Sequence, residues 1–415
     1  MSGLSKIVEG SGLKFRYKET DFEGIMVSLS GNTYNIKLKN GYNFSIPAES
    51  LEIVEIFPPR AAEVSEVDTP VPAGKHKVSI IGTGGTIASR VDYITGAVKP
   101  VLNPGFLRDN VSSISEFDMD LNLMEPMLSE NLTPDDWIRI ARLAKTGLDK
   151  NRGTIILHGT DTMSYTASAL SFMFPSLSGP IIFAGSQRSS DRPSSDAFLN
   201  LEGALEFSKT NLGEVTLAMH AGLSDDRVAL HRAVRSRKMH TTRRDAFRTI
   251  GSEPLGYYFQ KKAQLKGDYR GRAKETVLMD RLDSRVSIVF FHPALVASDF
   301  EAMVHGKKAV VIMGTGMGHT ASRLYESIKD TISSGTKVMM TSQCISGSVN
   351  LKVYSTGREL LSLGVIPLGN MLPEVAMVKS MFVLANYPHE DFEKYITENM
   401  RGEIVKNEPV FQEVS

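Results

Sequence analysis

Apolar and polar residues alternate along the first part of the chain. Lys14–Tyr17 and Thr33–Lys39 place every second side chain on one face, as in half-buried β-strands. The dipeptide Asn40–Gly41 favours a tight hairpin turn, after which Tyr42–Ile46 resumes the alternation. About five short strands within residues 1–57 predict a small all-β barrel of the SH3-like type.

The pattern changes after the proline-bounded segment 58–75, which is predicted to be a linker. Helical periodicity over Asp135–Lys150 predicts a helix with Thr133 as its N-cap and Pro134 in its first turn. Buried strands that alternate with helices imply a layered, mainly parallel sheet. These strands are predicted at Val78–Ile81, Thr154–Leu157, Ile181–Ala184 and Val215–Met219.

A second unit of the same kind begins near residue 307. Lys308–Met313 and Lys337–Thr341 repeat the strand pattern, and Pro293 interrupts an earlier apolar run. The sequence therefore predicts an α/β protein with a two-domain parallel-sheet core behind a small all-β barrel. The predicted order is barrel 1–57, linker 58–75, first α/β domain 76–292 with the active site, linker 293–306 and second α/β domain 307–415.

Composition narrows the class of protein. Lys and Arg number 47 and Asp and Glu number 47, so the net charge is zero, which argues against a stand-alone nucleic-acid binder.

The one cysteine, Cys344, excludes an intrachain disulfide and a multi-cysteine zinc site, and we expect it to be a small buried residue. Because no apolar run reaches about 18 residues and no signal-peptide pattern is present, we expect a cytoplasmic protein with no membrane contact.

A glycine-rich turn, Gly82–Ala88, follows the first predicted strand of the α/β core. It fails the dinucleotide-binding fingerprint because Ile87 occupies the third glycine position, and it lacks the lysine of a P-loop. The later turn Gly314–His319 fails the same fingerprint. A tight strand-to-helix turn explains the glycines, but it leaves the hydroxyl of Thr86 unexplained.

A second polar loop, His158–Thr162, comes directly after the strand predicted at Thr154–Leu157. Ligands of parallel sheets bind at the carboxyl ends of the strands. Thr86, Thr160 and Asp161 could therefore face one crevice. The alternative is that Thr160 or Asp161 simply caps the next helix.

The segment Arg227–Arg248 contains seven arginines and Lys238 against one acid, Asp245. A solvated basic loop is the simplest interpretation. A lysine crowded by cations loses its proton more readily and can act as a base on a threonine hydroxyl. A patch that binds RNA phosphates is the third interpretation, and the sequence leaves the three open.

The two polar loops, Thr83–Ala88 and His158–Thr162, resemble the two signatures of the L-asparaginase/glutaminase family, over roughly residues 76–410. Ordinary asparaginases lack an N-terminal barrel. With the barrel in front, the layout is similar to that of the family of archaeal glutamyl-tRNA(Gln) amidotransferase D subunits. The resemblance implies an asparaginase-like core that releases ammonia from the side-chain amide of glutamine or asparagine.

The resemblance also implies roles for individual residues, carried over by position. Thr86 matches the family's nucleophile, although the order in which the two threonines act stays open. Glu130 stands where many members have Gln, and His319 stands where secreted members place an Asn from the neighbouring subunit, so the preference for glutamine or asparagine is open. The implied catalytic residues are Thr86, Thr160, Asp161 and Lys238. The implied substrate-binding residues are Tyr93, Ser129, Glu130, Gly85 and Gly159.

The resemblance further implies a homodimeric core that carries a partner, the E subunit. That partner would hold ATP and magnesium, activate the glutamate of Glu-tRNA(Gln) and make most of the tRNA contacts, while this chain would need no cofactor or metal. A free-standing cytosolic L-asparaginase is the alternative enzyme. A non-enzymatic RNA-binding or scaffold protein that uses Arg227–Arg248 is the second alternative.

Overall fold

The structure is a computed structural model that describes residues 7–8, 10–38, 43–58, 76–84, 89–91, 98–100, 111, 113–150, 152–190 and 195–406. The hairpin turn predicted at Asn40–Gly41 and nearly all of the predicted linker lie outside these residues.

Five antiparallel strands form the N-terminal all-β unit, as predicted. They are hydrogen-bonded in the order β4-β3-β2-β1-β5. Alternate side chains point to one face and form a small core in which Leu13, Phe15, Ile36 and Ile46 are fully buried. The strands are β1 (Gly12–Tyr17), β2 (Thr20–Ser30), β3 (Thr33–Leu38), β4 (Asn43–Pro47) and β5 (Glu52–Phe57).

An eight-stranded sheet organises the first α/β unit, residues 76–265. Its strands and those of two small ribbons are β6 (His76–Gly82), β7 (Ser89–Val91), β8 (Val98–Pro100), β9 (Phe117–Leu123), β10 (Gly153–Leu157), β11 (Ile181–Ala184), β12 (Val215–His220), β13 (Arg227–Arg232), β14 (Ser236–Lys238), β15 (Phe247–Thr249), β16 (Gly256–Phe259) and β17 (Lys262–Leu265). The main sheet has the order β17-β16-β13-β12-β11-β10-β6-β9. The four predicted strands, β6, β10, β11 and β12, are parallel. Strand β9, which the sequence analysis does not predict, is parallel to β6, whereas β13, β16 and β17 extend the sheet in antiparallel fashion. Ribbons β7–β8 and β14–β15 lie outside this sheet.

Among its described residues, this unit has three helices: α1 (Pro134–Asp149), α2 (Met163–Met173) and α3 (Ala197–Ser208). The predicted start of α1 is confirmed, because the Asp136 carboxylate accepts a hydrogen bond from the Thr133 backbone nitrogen at 2.9 Å. Helix α2 is buried along its whole length except at Tyr165. It is covered on both sides because it packs between β12 and a helix of the second unit.

The second α/β unit, residues 286–406, has a parallel four-stranded sheet in the order β18-β19-β20-β21. The strands are β18 (Val286–Phe290), β19 (Ala309–Gly314), β20 (Lys337–Ser342) and β21 (Ile366–Pro367). The helices are α4 (Ala297–Val304), α5 (Tyr325–Ser333), α6 (Ser355–Leu363), α7 (Pro373–Asn386) and α8 (Phe392–Thr397).

Two expectations about this unit are wrong. The domain boundary predicted at 293–306 comes too late, because β18 pairs with β19 and α4 packs within the second unit. Pro293 follows a strand of the second sheet, so it marks the end of that strand and not a boundary between domains. Cys344 is exposed, because it lies in the loop beyond the end of β20.

Within the described part of the chain, no helix is long and apolar enough to cross a membrane.

Candidate active site

Two loops begin side by side at the carboxyl edge of the main sheet. Strands β6 and β10 run parallel and pair Gly82 with Leu157 at this edge. Directly beyond β6, Thr83 donates from its backbone nitrogen and from its hydroxyl to the Leu157 carbonyl, each at 3.1 Å. The glycine-rich turn and the second polar loop therefore share one edge of the sheet.

Gly84 makes the first loop possible. Its φ is +109°, a backbone conformation that residues with a side chain rarely adopt. A Cβ there would lie 2.6 Å from backbone atoms of Met127, so only glycine fits. The next residues of the first loop, including Gly85 and Thr86, lie outside the described residues, and so does Tyr93. Their implied roles stay predictions.

The second loop places a threonine and an aspartate beside a lysine. Nζ of Lys238 donates to the hydroxyl oxygen of Thr160 at 2.9 Å and to a carboxylate oxygen of Asp161 at 2.8 Å. Thr160 is buried, and the Lys238 side chain is only 14% exposed, whereas the Asp161 side chain is 68% exposed. A threonine hydroxyl within proton-transfer distance of an amine, with a carboxylate that orients the amine, is the geometry of an activated nucleophile or a proton relay.

Lys238 reaches this point from outside the main sheet. It is the last residue of β14, which pairs with β15 so that Lys238 lies opposite the buried Phe247. The strand before it, β13, runs antiparallel to β12 and ends at the far edge of the sheet. The chain then turns back through residues 233–235 and brings the lysine to the loop after β10.

Ser129 forms the floor beneath the second loop. Its carbonyl accepts a hydrogen bond from the Thr162 hydroxyl at 2.7 Å, and the residue is 3% exposed. A Cβ at Gly159 would lie 2.7 Å from the Ser129 Cβ, so glycine permits this approach. Ser129 and Gly159 thus lie together with Thr160, whereas Glu130 is exposed.

His158 fixes the start of the second loop. Its ring is fully buried and packs edge-on against Phe183. Burial lowers the pKa of His158 to about 4, so the ring is neutral near pH 7. Because a carbonyl only accepts, Nδ1 carries the proton and donates to the Gly159 carbonyl at 2.6 Å. Sequence reasoning gave His158 no role, although it is the first residue of the second signature.

His319 lies in the second α/β unit. Its Nδ1 is 3.3 Å from the Thr356 hydroxyl, and its ring lies edge-on to Tyr354.

The basic segment Arg227–Arg248 is neither a solvated loop nor an unpaired basic surface. Arg235 is fully buried and donates to backbone carbonyls. The other six arginines each have a carboxylate partner, and these pairs are Arg227–Asp226, Arg232–Glu214, Arg237–Glu374, Arg243–Asp245, Arg244–Asp225 and Arg248–Asp245. This pairing argues against the RNA-phosphate interpretation, whereas the effect of the neighbouring cations on Lys238 stays a prediction.

No group of three or more His, Cys, Asp or Glu side chains within the described ranges could hold a metal ion.

Comparison with known proteins assigns the two α/β units to two named families. Residues 77–270 match the family "Asparaginase, N-terminal", and residues 285–395 match "Glutaminase/Asparaginase C-terminal domain". Among curated proteins, the glutamyl-tRNA(Gln) amidotransferase D subunit of Thermoplasma volcanium is 50% identical over 394 residues, covering 94% of this chain and 96% of that protein. The chain belongs to the family of glutamyl-tRNA(Gln) amidotransferase D subunits. This confirms the family predicted from the two signatures and the N-terminal unit.

Other D subunits match over similar lengths. That of Thermoplasma acidophilum is 46% identical and covers 95% of this chain and 96% of that protein. That of Sulfolobus acidocaldarius is 42% identical and covers 92% of this chain and 88% of that protein. The relatives therefore extend over the all-β unit as well as over the two α/β units.

Solved structures confirm the asparaginase-like fold of the D-subunit core. The thermostable L-asparaginase of Thermococcus kodakarensis aligns with a TM-score of 0.72 and 29% identity, and covers 79% of this chain and 99% of that chain. L-asparaginase I of Vibrio cholerae aligns with a TM-score of 0.68 and 28% identity, covering 80% of this chain and 99% of that chain. An L-asparaginase therefore corresponds to about four fifths of this D-subunit chain.

Proposed function

We propose that this chain is an amidohydrolase that releases ammonia from glutamine, or from asparagine, for the ATP-dependent conversion of Glu-tRNA(Gln) to Gln-tRNA(Gln) on a partner subunit. One observation carries the chemistry: Lys238 binds both the hydroxyl of Thr160 and the carboxylate of Asp161. The names of the D-subunit relatives support the biological role.

The reaction needs a threonine oxygen that attacks the carboxamide carbon. In the proposed sequence, the Thr86 hydroxyl forms the new C–O bond and its proton passes through Thr160 to Nζ of Lys238, which acts as the base. The C–N bond then breaks, and the proton goes to the leaving nitrogen, so that ammonia departs from an acyl-enzyme. Water then attacks the ester, the acyl group leaves as the free acid, and a proton from that water returns to the Thr86 oxygen.

The second loop is suited to the negative charge that develops on the amide oxygen. Helix α2 begins at Met163, so its positive end faces the loop that holds Gly159 and Thr160. Backbone N–H groups at Gly159–Thr160 are proposed to donate to the oxyanion, and one such donor typically lowers the barrier by about 3 kcal/mol. The exposed carboxylate of Asp161 can also take the α-ammonium of the substrate.

The proposed assembly contains this chain and a partner subunit. The chain is proposed to act as a homodimeric core in the cytoplasm, where two E subunits hold ATP, magnesium and most of the tRNA. The zero net charge is consistent with tRNA contacts that lie mainly on the partner.

The experiment is reconstitution of the D–E complex, with ammonia release from glutamine and asparagine followed with and without Glu-tRNA(Gln) and ATP. We expect a stoichiometric complex whose use of glutamine rises when both are added, and Thr86→Ala and Lys238→Ala variants that release almost no ammonia. Near-wild-type ammonia release by either variant would show that the residue assignment is wrong.

A free-standing L-asparaginase is the second candidate, because L-asparaginase structures match about four fifths of the chain. A lone homo-oligomer that hydrolyses asparagine at full rate without RNA would establish this activity instead. Salt dependence provides a further control, since RNA binding through phosphates weakens steeply with ionic strength and amide hydrolysis does not.

A further inference from the structure

Strand β14, which carries Lys238, is too short to fix a side chain by itself. It has three residues and pairs with β15 alone, in a ribbon that is separate from both larger sheets. An isolated two-stranded ribbon is marginally stable in water. The 2.9 Å contact between Lys238 and Thr160 therefore depends on what holds this ribbon from outside.

The opposite face of β14 is held by the second α/β unit. Successive side chains of a strand point to opposite faces, so Arg237 points away from the Thr160 loop. Its guanidinium nitrogen Nε lies 3.6 Å from a carboxylate oxygen of Glu374. The ribbon is thus held between the active-site loop on one face and Glu374 on the other.

Glu374 is almost completely buried, so its carboxylate has little contact with water. Its side chain is 7% exposed, and it lies in the first turn of α7, where a carboxylate is favoured by the helix dipole. Burial raises the pKa of Glu374, and the charge of Arg237 opposes that rise. The carboxylate therefore needs the guanidinium as its counter-charge, which gives the pair a defined position.

The same helix also contacts the element that carries the second loop. Helix α7 packs against α2, which begins directly after Asp161 and Thr162. Burial raises the pKa of Tyr165 on α2, the negative charge of Glu374 raises it further, and the positive charge of Arg237 lowers it. Helix α7 of the second unit therefore supports both the β14–β15 ribbon, which carries Lys238, and the second loop, which carries Thr160.

Arg235 anchors the start of the ribbon to the same unit. Its guanidinium donates to the carbonyls of Asn370 at 2.8 Å and Glu403 at 3.0 Å. Arg235 and Arg237 thus both reach the second unit from positions next to Lys238.

We infer that Arg237 and Glu374 are positioning residues, and that through them the second α/β unit holds Lys238 at hydrogen-bond distance from Thr160. The inference deepens the proposed function and rests on it. Because misplacing a reacting group by about 1 Å can cost roughly a hundredfold in rate, loss of this support should reduce turnover more than substrate binding.

The test is a double-mutant cycle in the intact D–E complex with Glu374→Gln and Arg237→Met, alone and together. We expect each single change to lower kcat for ammonia release roughly tenfold with KM changed less than about twofold. The double variant should be no slower than the slower single variant, because both changes remove one interaction. Arg237→Lys should recover part of the rate, since it keeps the positive charge.

Two further readouts separate positioning from folding. Hydrogen–deuterium exchange of the peptide that covers residues 236–239 should rise in Glu374→Gln, while the melting temperature changes by only a few degrees. Arg152→Met removes another partly buried arginine–carboxylate pair, with Asp118, and should leave kcat within about twofold.

The possible results are distinct. Independent, additive effects of Glu374→Gln and Arg237→Met on kcat would overturn the inference. Wild-type kcat in both single variants, with an active wild-type complex, would also overturn it. A wild-type complex that releases no ammonia would overturn the proposed function and the inference with it.

Discussion

Nζ of Lys238 lies 2.9 Å from the hydroxyl oxygen of Thr160, although Thr160 lies in a loop at the edge of the main sheet and Lys238 lies in a separate ribbon. Thr160 follows a parallel strand of the main sheet, whereas Lys238 ends a small separate ribbon. The reactive geometry therefore depends on how these two elements pack together.

Replacing Lys238 tests whether its amine moves the proton. We expect Lys238→Met to lower kcat for ammonia release roughly 10²- to 10⁴-fold, because a positioned acid–base group contributes about that much. Lys238→Arg should not restore the rate, since a guanidinium keeps its proton at neutral pH. Lys209→Met, which removes a lysine paired with Glu116 and Glu206, is the matched control and should leave kcat unchanged. Full activity of Lys238→Arg would contradict a base role.

Gly159→Ala tests the close approach of the second loop to Ser129. The new Cβ would lie 2.7 Å from the Ser129 Cβ and 2.9 Å from its hydroxyl, so the loop or the serine must move. We expect kcat/KM for glutamine to fall roughly tenfold or more. Gly222→Ala is the control, because a Cβ at Gly222 meets nothing within 4 Å. Equal kinetics for the two alanine variants would argue against a site at Gly159.

Two buried histidines predict how stability depends on pH. Burial lowers the pKa of His158 to about 4 and that of His231 to about 3 from the ordinary 6.5. Below pH 6.5 these histidines bind protons in the unfolded chain but stay neutral in the folded chain. The free energy of unfolding therefore falls as pH drops from 6.5 toward 4.

The measurement is urea unfolding at pH 7 and pH 5. Each histidine should account for about 2 kcal/mol of the stability lost between these values. His231→Asn should lose about that much less than wild type, whereas His305→Gln, at an exposed position, should behave like wild type. An identical loss of stability in His231→Asn would contradict the assignment.

The ion pair between Lys379 and Glu403 is fully buried, with 2.6 Å between the charged atoms. Breaking such a pair leaves one charge without a partner in the interior, which typically costs about 3–5 kcal/mol. We expect Glu403→Gln and Lys379→Met each to lower the free energy of unfolding by roughly this amount. The combined Lys379→Met and Glu403→Gln variant should lose clearly less than the sum of the two single losses, as thermal unfolding can show. Additive losses would mean that the two charges do not stabilise each other.

Local signals explain which parts of the fold could be predicted. The runs that became β6 and β10 are continuous and apolar, and Thr133 and Pro134 mark the start of α1, so neighbouring residues carry enough information. The membership of β18 could not be read in this way, because any apolar run fits either sheet until its hydrogen-bonded neighbour is known. The domain boundary was misplaced for that reason.

In the candidate site, too, residues that are neighbours in the sequence could be predicted, whereas contacts between distant residues could not. Thr160, Asp161 and Gly159 stand in one short motif and could be identified together. The counter-charges of the basic segment could not, because Glu214 and Glu374 are distant in the sequence and only packing brings them to Arg232 and Arg237. A count of arginines therefore suggested a cationic surface where the folded chain has paired charges.

The alternation of faces along β14 has a consequence for the spacing of the chain. Lys238 points to the threonine loop and Arg237 to the second unit, and side chains change face at every residue of a strand. Inserting or deleting one residue between Arg235 and Lys238 would exchange these two directions and bury the lysine against Glu374. The distance in sequence between the anchoring arginine and the lysine is thus as constrained as their chemical identity, and a shift of two residues would be tolerated better than a shift of one.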